Sequence, residues 1–203
     1  MSFFQNTCKP DGLGGKLMVK MMNYGHRKLS KWGFAQLDLR DNVQILDAGC
    51  GGGANVALWL EKCPHSCVTG IDYSAVSVNE SQKLNESAIK AHRCEILQAN
   101  VAQLPFPDAQ FFYVSAFETI YFWPDLVSCF REINRILQAG GIFFICNESD
   151  GTDSRDEKWT KKINGMRIYS EEEIYTALKT AGFHNIKSSR EKKKRWLCLS
   201  AQK

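Results

Sequence analysis

The sequence predicts an α/β protein: a mostly parallel, seven-stranded sheet with helices on both faces and an antiparallel C-terminal strand. Three observations carry that prediction. From Val43 onward, short apolar runs alternate with amphipathic stretches, the pattern of repeated strand–helix–strand units. Runs such as Ile142–Cys146 are continuously apolar, which fits strands buried on both faces. One run, Ile45-Leu46-Asp47-Ala48, breaks into the glycine turn Gly49-Cys50-Gly51-Gly52-Gly53 just before a helical pattern.

The elements follow in order. Residues 1–40 are mostly helical by pattern and precede the first strand, so they are expected to form a cap across one end of the sheet. Val43–Asp47 is the first strand and Ala54–Lys62 its helix. Cys67–Asp72 is the second strand, followed by helix from Ser74 to Ala91 and a short third strand, Cys94–Gln98. Phe112–Ala116 is the fourth strand. Asp125–Leu137 reads as a helix stopped near Gly140-Gly141, ahead of the fifth strand, Ile142–Cys146. Residues 147–168 are polar and glycine-punctuated, an excursion from the sheet. Ser170-Glu171-Glu172-Glu173 has the capping-box spacing and opens a helix that ends near Ala181-Gly182. Phe183–Ser188 and Arg195–Ala201 close the chain as two strands joined by a charged turn.

A chain of 203 residues is long enough to bury a sizeable core as one domain. No apolar run suits a signal peptide or a bilayer span, and the eight cysteines are scattered through apolar patterns. Reduced thiols in a cytoplasmic protein with no membrane partner are therefore expected. Cys63-Pro64-His65-Ser66-Cys67 has no second ligand pair at zinc spacing and reads as a loop, so no metal site is expected. The net charge of +4 is uneven: +5 over residues 1–40, −7 over 41–150 and +6 over 151–203. Basic flanks around an acidic centre suit an anionic partner or mere solubility. Aromatics and lysines are not interleaved along one face, so a nucleic-acid partner is not expected.

The glycine turn points to a nucleotide-type cofactor. Glycine permits a tight bend and close backbone approach, and the next helix presents free N–H groups. Gly49, Gly51 and Ala54 satisfy the looser dinucleotide pattern, which keeps a nicotinamide-dependent oxidoreductase as an alternative. Asp47 argues otherwise, because a carboxylate two residues before the turn would crowd a pyrophosphate. A cofactor with a cationic end and no phosphate would welcome it, which describes S-adenosylmethionine.

Over about residues 40–150 the chain resembles the class I S-adenosylmethionine-dependent methyltransferases, specifically the type 11 subgroup, with their Rossmann-like fold. Ile45–Gly53 resembles the family's first motif, in which Asp47, Gly49, Cys50 and Gly51 would surround the methionine portion. Gly70-Ile71-Asp72-Tyr73-Ser74 resembles the second, with Asp72 accepting from the ribose hydroxyls and Tyr73 against the adenine. Ala99-Asn100-Val101 resembles the third, Asn100 standing where the family more often has Asp; its amide oxygen can still accept a hydrogen bond from adenine. Phe117-Glu118-Thr119 falls where the family places backbone and side chains beside the methyl-donor centre, and Phe112 occupies a position usually filled by Asp. The resemblance implies one methyltransferase domain over 1–203, with the cap at 1–40, the cofactor-binding core at 41–150, and an insert, helix and strand hairpin at 151–203.

Transfer from an activated sulfonium methyl needs alignment and exclusion of water, and a base only if the acceptor must lose a proton. Glu118, Tyr121 and His26 are the candidate catalytic residues. His26 reads equally as a surface or structural histidine. Tyr121-Phe122-Trp123 reads as core packing or as substrate contact, and Lys192-Lys193-Lys194-Arg195 as a solvated turn. A compact cap and no appended RNA-binding domain favour a small-molecule acceptor. A non-catalytic cofactor-sensing or nucleic-acid-binding module is the remaining alternative, motivated by the basic flanks.

Overall fold

The structure, a computed structural model, describes residues 10–203; the first nine residues of the expected cap lie outside the described residues. Its strands are β1 (Gln44–Ala48), β2 (Cys67–Asp72), β3 (Cys94–Gln98), β4 (Phe111–Phe117), β5 (Leu137–Asn147), β6 (His184–Glu191) and β7 (Trp196–Gln202). They form a seven-stranded sheet of order β3-β2-β1-β4-β5-β7-β6, in which β7 runs antiparallel to both of its neighbours. The helices are α1 (Gly12–Gly25), α2 (Arg27–Phe34), α3 (Ala54–Lys62), α4 (Ala75–Leu84), α5 (Glu86–Lys90), α6 (Leu126–Ile136), α7 (Glu157–Lys162) and α8 (Glu171–Thr180).

Strand side chains alternate between faces, and two apolar layers result. Leu46, Val114, Phe143 and Leu199 pack with α6 and α8 on one face. Ile45, Tyr113, Phe144 and Cys198 pack with α2, α3 and α4 on the other, around Phe34, Trp59 and Val78. Chain order reverses direction across the sheet at β1, which lies between β2 and β4. The carboxyl ends of these strands therefore flank a crevice, the usual ligand position in such sheets.

Four details depart from the sequence reading. The helix expected over 74–91 breaks at Asn85, whose amide donates to the Gly53 and Ser81 carbonyls at 3.2 and 3.0 Å. The α6 helix ends at Ile136 without a glycine stop, because Leu137 already pairs with Phe111 as the first residue of β5. Of the expected cap, α1 lies over the glycine turn, where Asn23 reaches the Gly52 carbonyl. The α2 helix instead packs on the sheet through Leu29 and Phe34, with Gly33 placed so close that a Cβ there would meet Cys146 Sγ at 2.7 Å. The polar excursion contains α7 and a 3-10 turn at Ser154–Asp156. No helix among the described residues is long and apolar enough to cross a membrane, and the seven cysteines described are free.

Candidate active site

The glycine turn is built around Gly49, Gly51 and Gly53, which have φ of 80°, 51° and 79°. Side chains are rarely tolerated in this region, so the turn requires glycine there. The Gly49 and Cys50 N–H groups both donate to the Ile71 carbonyl at 2.8 Å, locking the turn onto β2. A helix starts directly behind it at Ala54. The α1 helix lies over the turn: Asn23 Nδ2 donates to the Gly52 carbonyl at 3.1 Å, and Ser74 Oγ donates to the Pro10 carbonyl at 2.8 Å.

Beneath this roof lies a cavity of about 1100 Å³. Gly49, Cys50, Gly51, Asp72, Tyr73, Asn100, Val101 and Phe117 all line it, so eight of the nine expected cofactor residues come together. Asp72 accepts N–H from Gly51 at 3.0 Å and from Ser74 at 2.8 Å. Burial still pushes its carboxyl upward against those two hydrogen bonds. A carboxylate can accept about four hydrogen bonds, so acceptor capacity remains for a ligand. Tyr73 is 40% exposed at the rim. The Asn100 amide oxygen accepts from the Ala102 N–H at 3.0 Å, so the acceptor expected for adenine is shared with the local turn.

Asp47, the ninth, is placed differently: it is 1% exposed and does not line the cavity. Its Oδ1 accepts from Ser115 Oγ at 2.6 Å, and its Oδ2 is buried with no partner. Burial, with nearby Asp72 adding to it, raises its carboxyl to about 7 despite the Ser115 hydrogen bond.

The three expected catalytic residues converge at the other end of the cavity. Glu118 follows β4 in a left-handed conformation, φ 60°, a strained setting for a non-glycine residue. Its carboxyl accepts from the Tyr121 hydroxyl at 3.4 Å and from the backbone N–H of Glu148. His26, at the junction of α1 and α2, places Nε2 4.0 Å from Glu118 and 3.8 Å from Glu148. Burial and then repulsion from Glu148 raise Glu118 to about 8. Burial lowers His26, partly countered by Glu148. Burial drives the Tyr121 hydroxyl well upward.

Glu148 escaped the sequence reading because it opens the polar excursion after the fifth strand, where nothing local sets it apart from the other polar residues. The carboxyl ends of parallel strands are nevertheless where acidic residues should be sought. His26, Glu118 and Glu148 hold their ligand atoms within 4.8 Å of one another, close enough to share a proton or a cation.

The aromatic run spans core and cavity wall. Trp123 packs in the core against Phe130 and Phe143 at 5.9 and 6.3 Å, yet Tyr121, Phe122 and Trp123 all line the cavity. The excursion closes this end through Trp159, Ile163 and Met166. It is anchored by a bidentate contact, 3.1 and 3.2 Å, from Arg195 to Asp156. Thus the basic turn is only partly a solvated one: three lysines are exposed and Arg195 turns inward to a carboxylate. Phe112 sits at the far end of β4 under Arg40, 4.9 Å away, and takes no part in the cavity.

The "Methyltransferase domain" family matches residues 46–145, from β1 into β5. The chain is 29% identical over 160 residues to cycloartenol-C-24-methyltransferase 1 of Oryza sativa subsp. japonica, covering 74% of this chain and 46% of that one. It is 34% identical over 155 residues to the 27-O-demethylrifamycin SV methyltransferase of Amycolatopsis mediterranei, covering 72% and 56%. The chain thus spans about half the length of these relatives. Its fold is also that of phosphoethanolamine N-methyltransferase 2 of Haemonchus contortus, solved in complex with S-adenosyl-L-methionine. That match has a TM-score of 0.81 at 13% identity and covers 100% of this chain and 60% of the other. With the sheet order, the glycine turn and the paired carboxylates already described, the family match and the sequence relatives place the chain in the class I S-adenosylmethionine-dependent methyltransferase family.

Proposed function

We propose that this protein transfers a methyl group from S-adenosylmethionine to a small, largely apolar acceptor bearing one proton-carrying nucleophile. One observation carries the reading: a single cavity joins the glycine turn and Asp72 to the Glu118 cluster. The residues fit the donor. Asp72 has acceptor capacity for ribose, a Cβ on Gly51 would meet nothing within 4 Å, and Asp47 has a bare buried oxygen that favours positive charge nearby. Once bound, the donor supplies an activated methyl on a sulfonium.

The protein's own part follows from the geometry. Gly49–Gly53 and Tyr73 hold the donor at one end. Met18, Phe122, Trp123, Trp159, Ile163 and Met166 line the remaining space with apolar surface that excludes water. Glu118, when ionised, takes the proton of the acceptor, and Tyr121 steadies the carboxylate by its hydrogen bond. His26, held low by burial, is a neutral neighbour at pH 7 rather than a charged one. The relatives named for cycloartenol and demethylrifamycin methylation support a small-molecule acceptor. Family membership favours methyl transfer over nicotinamide chemistry.

Calorimetry with S-adenosylmethionine and S-adenosylhomocysteine tests the donor, and absence of binding to either sinks the reading. A metabolite pool incubated with isotopically labelled donor then reports the acceptor. Label found only in protein or nucleic acid would refute the small-molecule assignment.

A further inference from the structure

The donor end of the cavity is backed by two side chains that do not themselves reach it. Parallel pairing sets Ser115 of β4 beside Asp47 of β1, on the sheet face covered by α3. Ser115 Oγ donates to Asp47 Oδ1 at 2.6 Å and accepts from the Trp59 indole N–H at 2.9 Å. A hydroxyl has one proton. Of its two acceptors, Asp47 Oδ1 at 2.6 Å is far nearer than the Leu46 carbonyl at 3.5 Å, so the proton goes to the carboxylate. The second oxygen, Oδ2, is buried without a partner. The titratable groups acting on it across the packing are Asp72, at the end of β2, and the Cys50 thiol in the turn; neither is a cation. From β4 and α3 it meets Ser115 and, through it, Trp59.

We propose that Ser115 and Trp59 are positioning residues for the donor: their hydrogen-bond chain holds Asp47 as a carboxylate beneath the glycine turn, where it attracts the ammonium of the donor's amino-acid portion. This rests on the methyl-donor reading above and adds two residues outside the cavity to it. Burial raises Asp47 to about 7, and the Ser115 hydrogen bond opposes that rise. Affinity for an ammonium-bearing ligand therefore falls as pH drops through that value. Loss of the Ser115 hydroxyl moves the fall to higher pH.

The test is calorimetric titration of S-adenosylhomocysteine, and of adenosine, which lacks the amino acid, between about pH 6 and 8.5. Wild type, Ser115→Ala and Trp59→Phe are compared, with thermal melting in parallel. Trp59→Phe keeps a ring to pack against Phe34 and Tyr113. Wild-type affinity for S-adenosylhomocysteine is expected to weaken toward pH 6 while that for adenosine stays level. Ser115→Ala is expected to move the midpoint up by about one pH unit, about a fivefold loss at pH 7, with Trp59→Phe shifting it less in the same direction. Variants that melt earlier but keep the wild-type pH profile overturn the inference and leave the donor reading intact. Wild type that binds neither ligand overturns both.

Discussion

Gly49 and Thr119 stand so close that a Cβ on the glycine would fall 2.1 Å from the threonine hydroxyl oxygen. The glycine turn after β1 is thereby keyed to the loop after β4. Thr119 has little room to yield, since its hydroxyl also accepts from the Trp123 indole at 3.3 Å. The two ends of the cavity are thus mechanically joined at this contact.

Gly49→Ala is expected to destabilise the fold by at least about 2 kcal/mol, from left-handed strain and overpacking together. Donor binding should fall in step. Wild-type melting with wild-type affinity would show that the loop after β4 yields freely.

Asp72→Ala removes the acceptor for two backbone N–H groups and the capacity assigned to ribose. Charge-assisted hydrogen bonds of this kind support a loss of about 10- to 100-fold in donor affinity. Calorimetry reads it directly, and unchanged affinity would remove Asp72 from the site.

If Glu118 is the base, kcat should rise with pH through about 8, where its carboxyl ionises, and level off above. Glu118→Gln should abolish that limb. Glu148→Gln should move it to lower pH, because repulsion from Glu148 helps to raise Glu118. The Glu148 backbone N–H is retained in that variant. A pH–rate profile that Glu118→Gln leaves unaltered would assign proton removal elsewhere.

Ligand-free stability should show the same groups. Glu118 and Asp47 are both raised in the folded protein, from their usual 4.5 and 3.8 to about 8 and 7. The folded state holds these protons more tightly than the unfolded chain does. Their stabilising contribution is complete below about pH 4 and declines as pH rises through the folded values. Each group costs about 1.4 kcal/mol per pH unit inside its window. Melting temperature should therefore fall from pH 5 to pH 8, and Glu118→Gln should flatten that slope while losing activity. An equally steep slope in the variant would mean that Glu118 is not the group responsible.

Much of the glycine-turn end of the cavity was legible in the chain. Strands buried on both faces read as unbroken apolar runs, and Gly49, Gly51 and Gly53 announce positive φ by their residue type. Asp72 closes such a run, and Asp47 stands one residue before the end of another. Asn85 was not legible as a helix break, because its two carbonyl partners include one in the remote glycine turn. Glu148 and Ser115 were missed for a related reason: nothing adjacent to either in sequence says which strand will lie alongside.

The sequence by itself determined the α/β architecture, the glycine turn and the two carboxylates, because local periodicity and backbone preference are properties of neighbouring residues. Tertiary structure alone decided that His26 meets Glu118 and Glu148, and that Asp47 stands behind the cavity with Ser115 at its side. It also decided the protonation of Asp47 and Glu118, since the cost of charging a carboxyl depends on how completely the fold removes it from water.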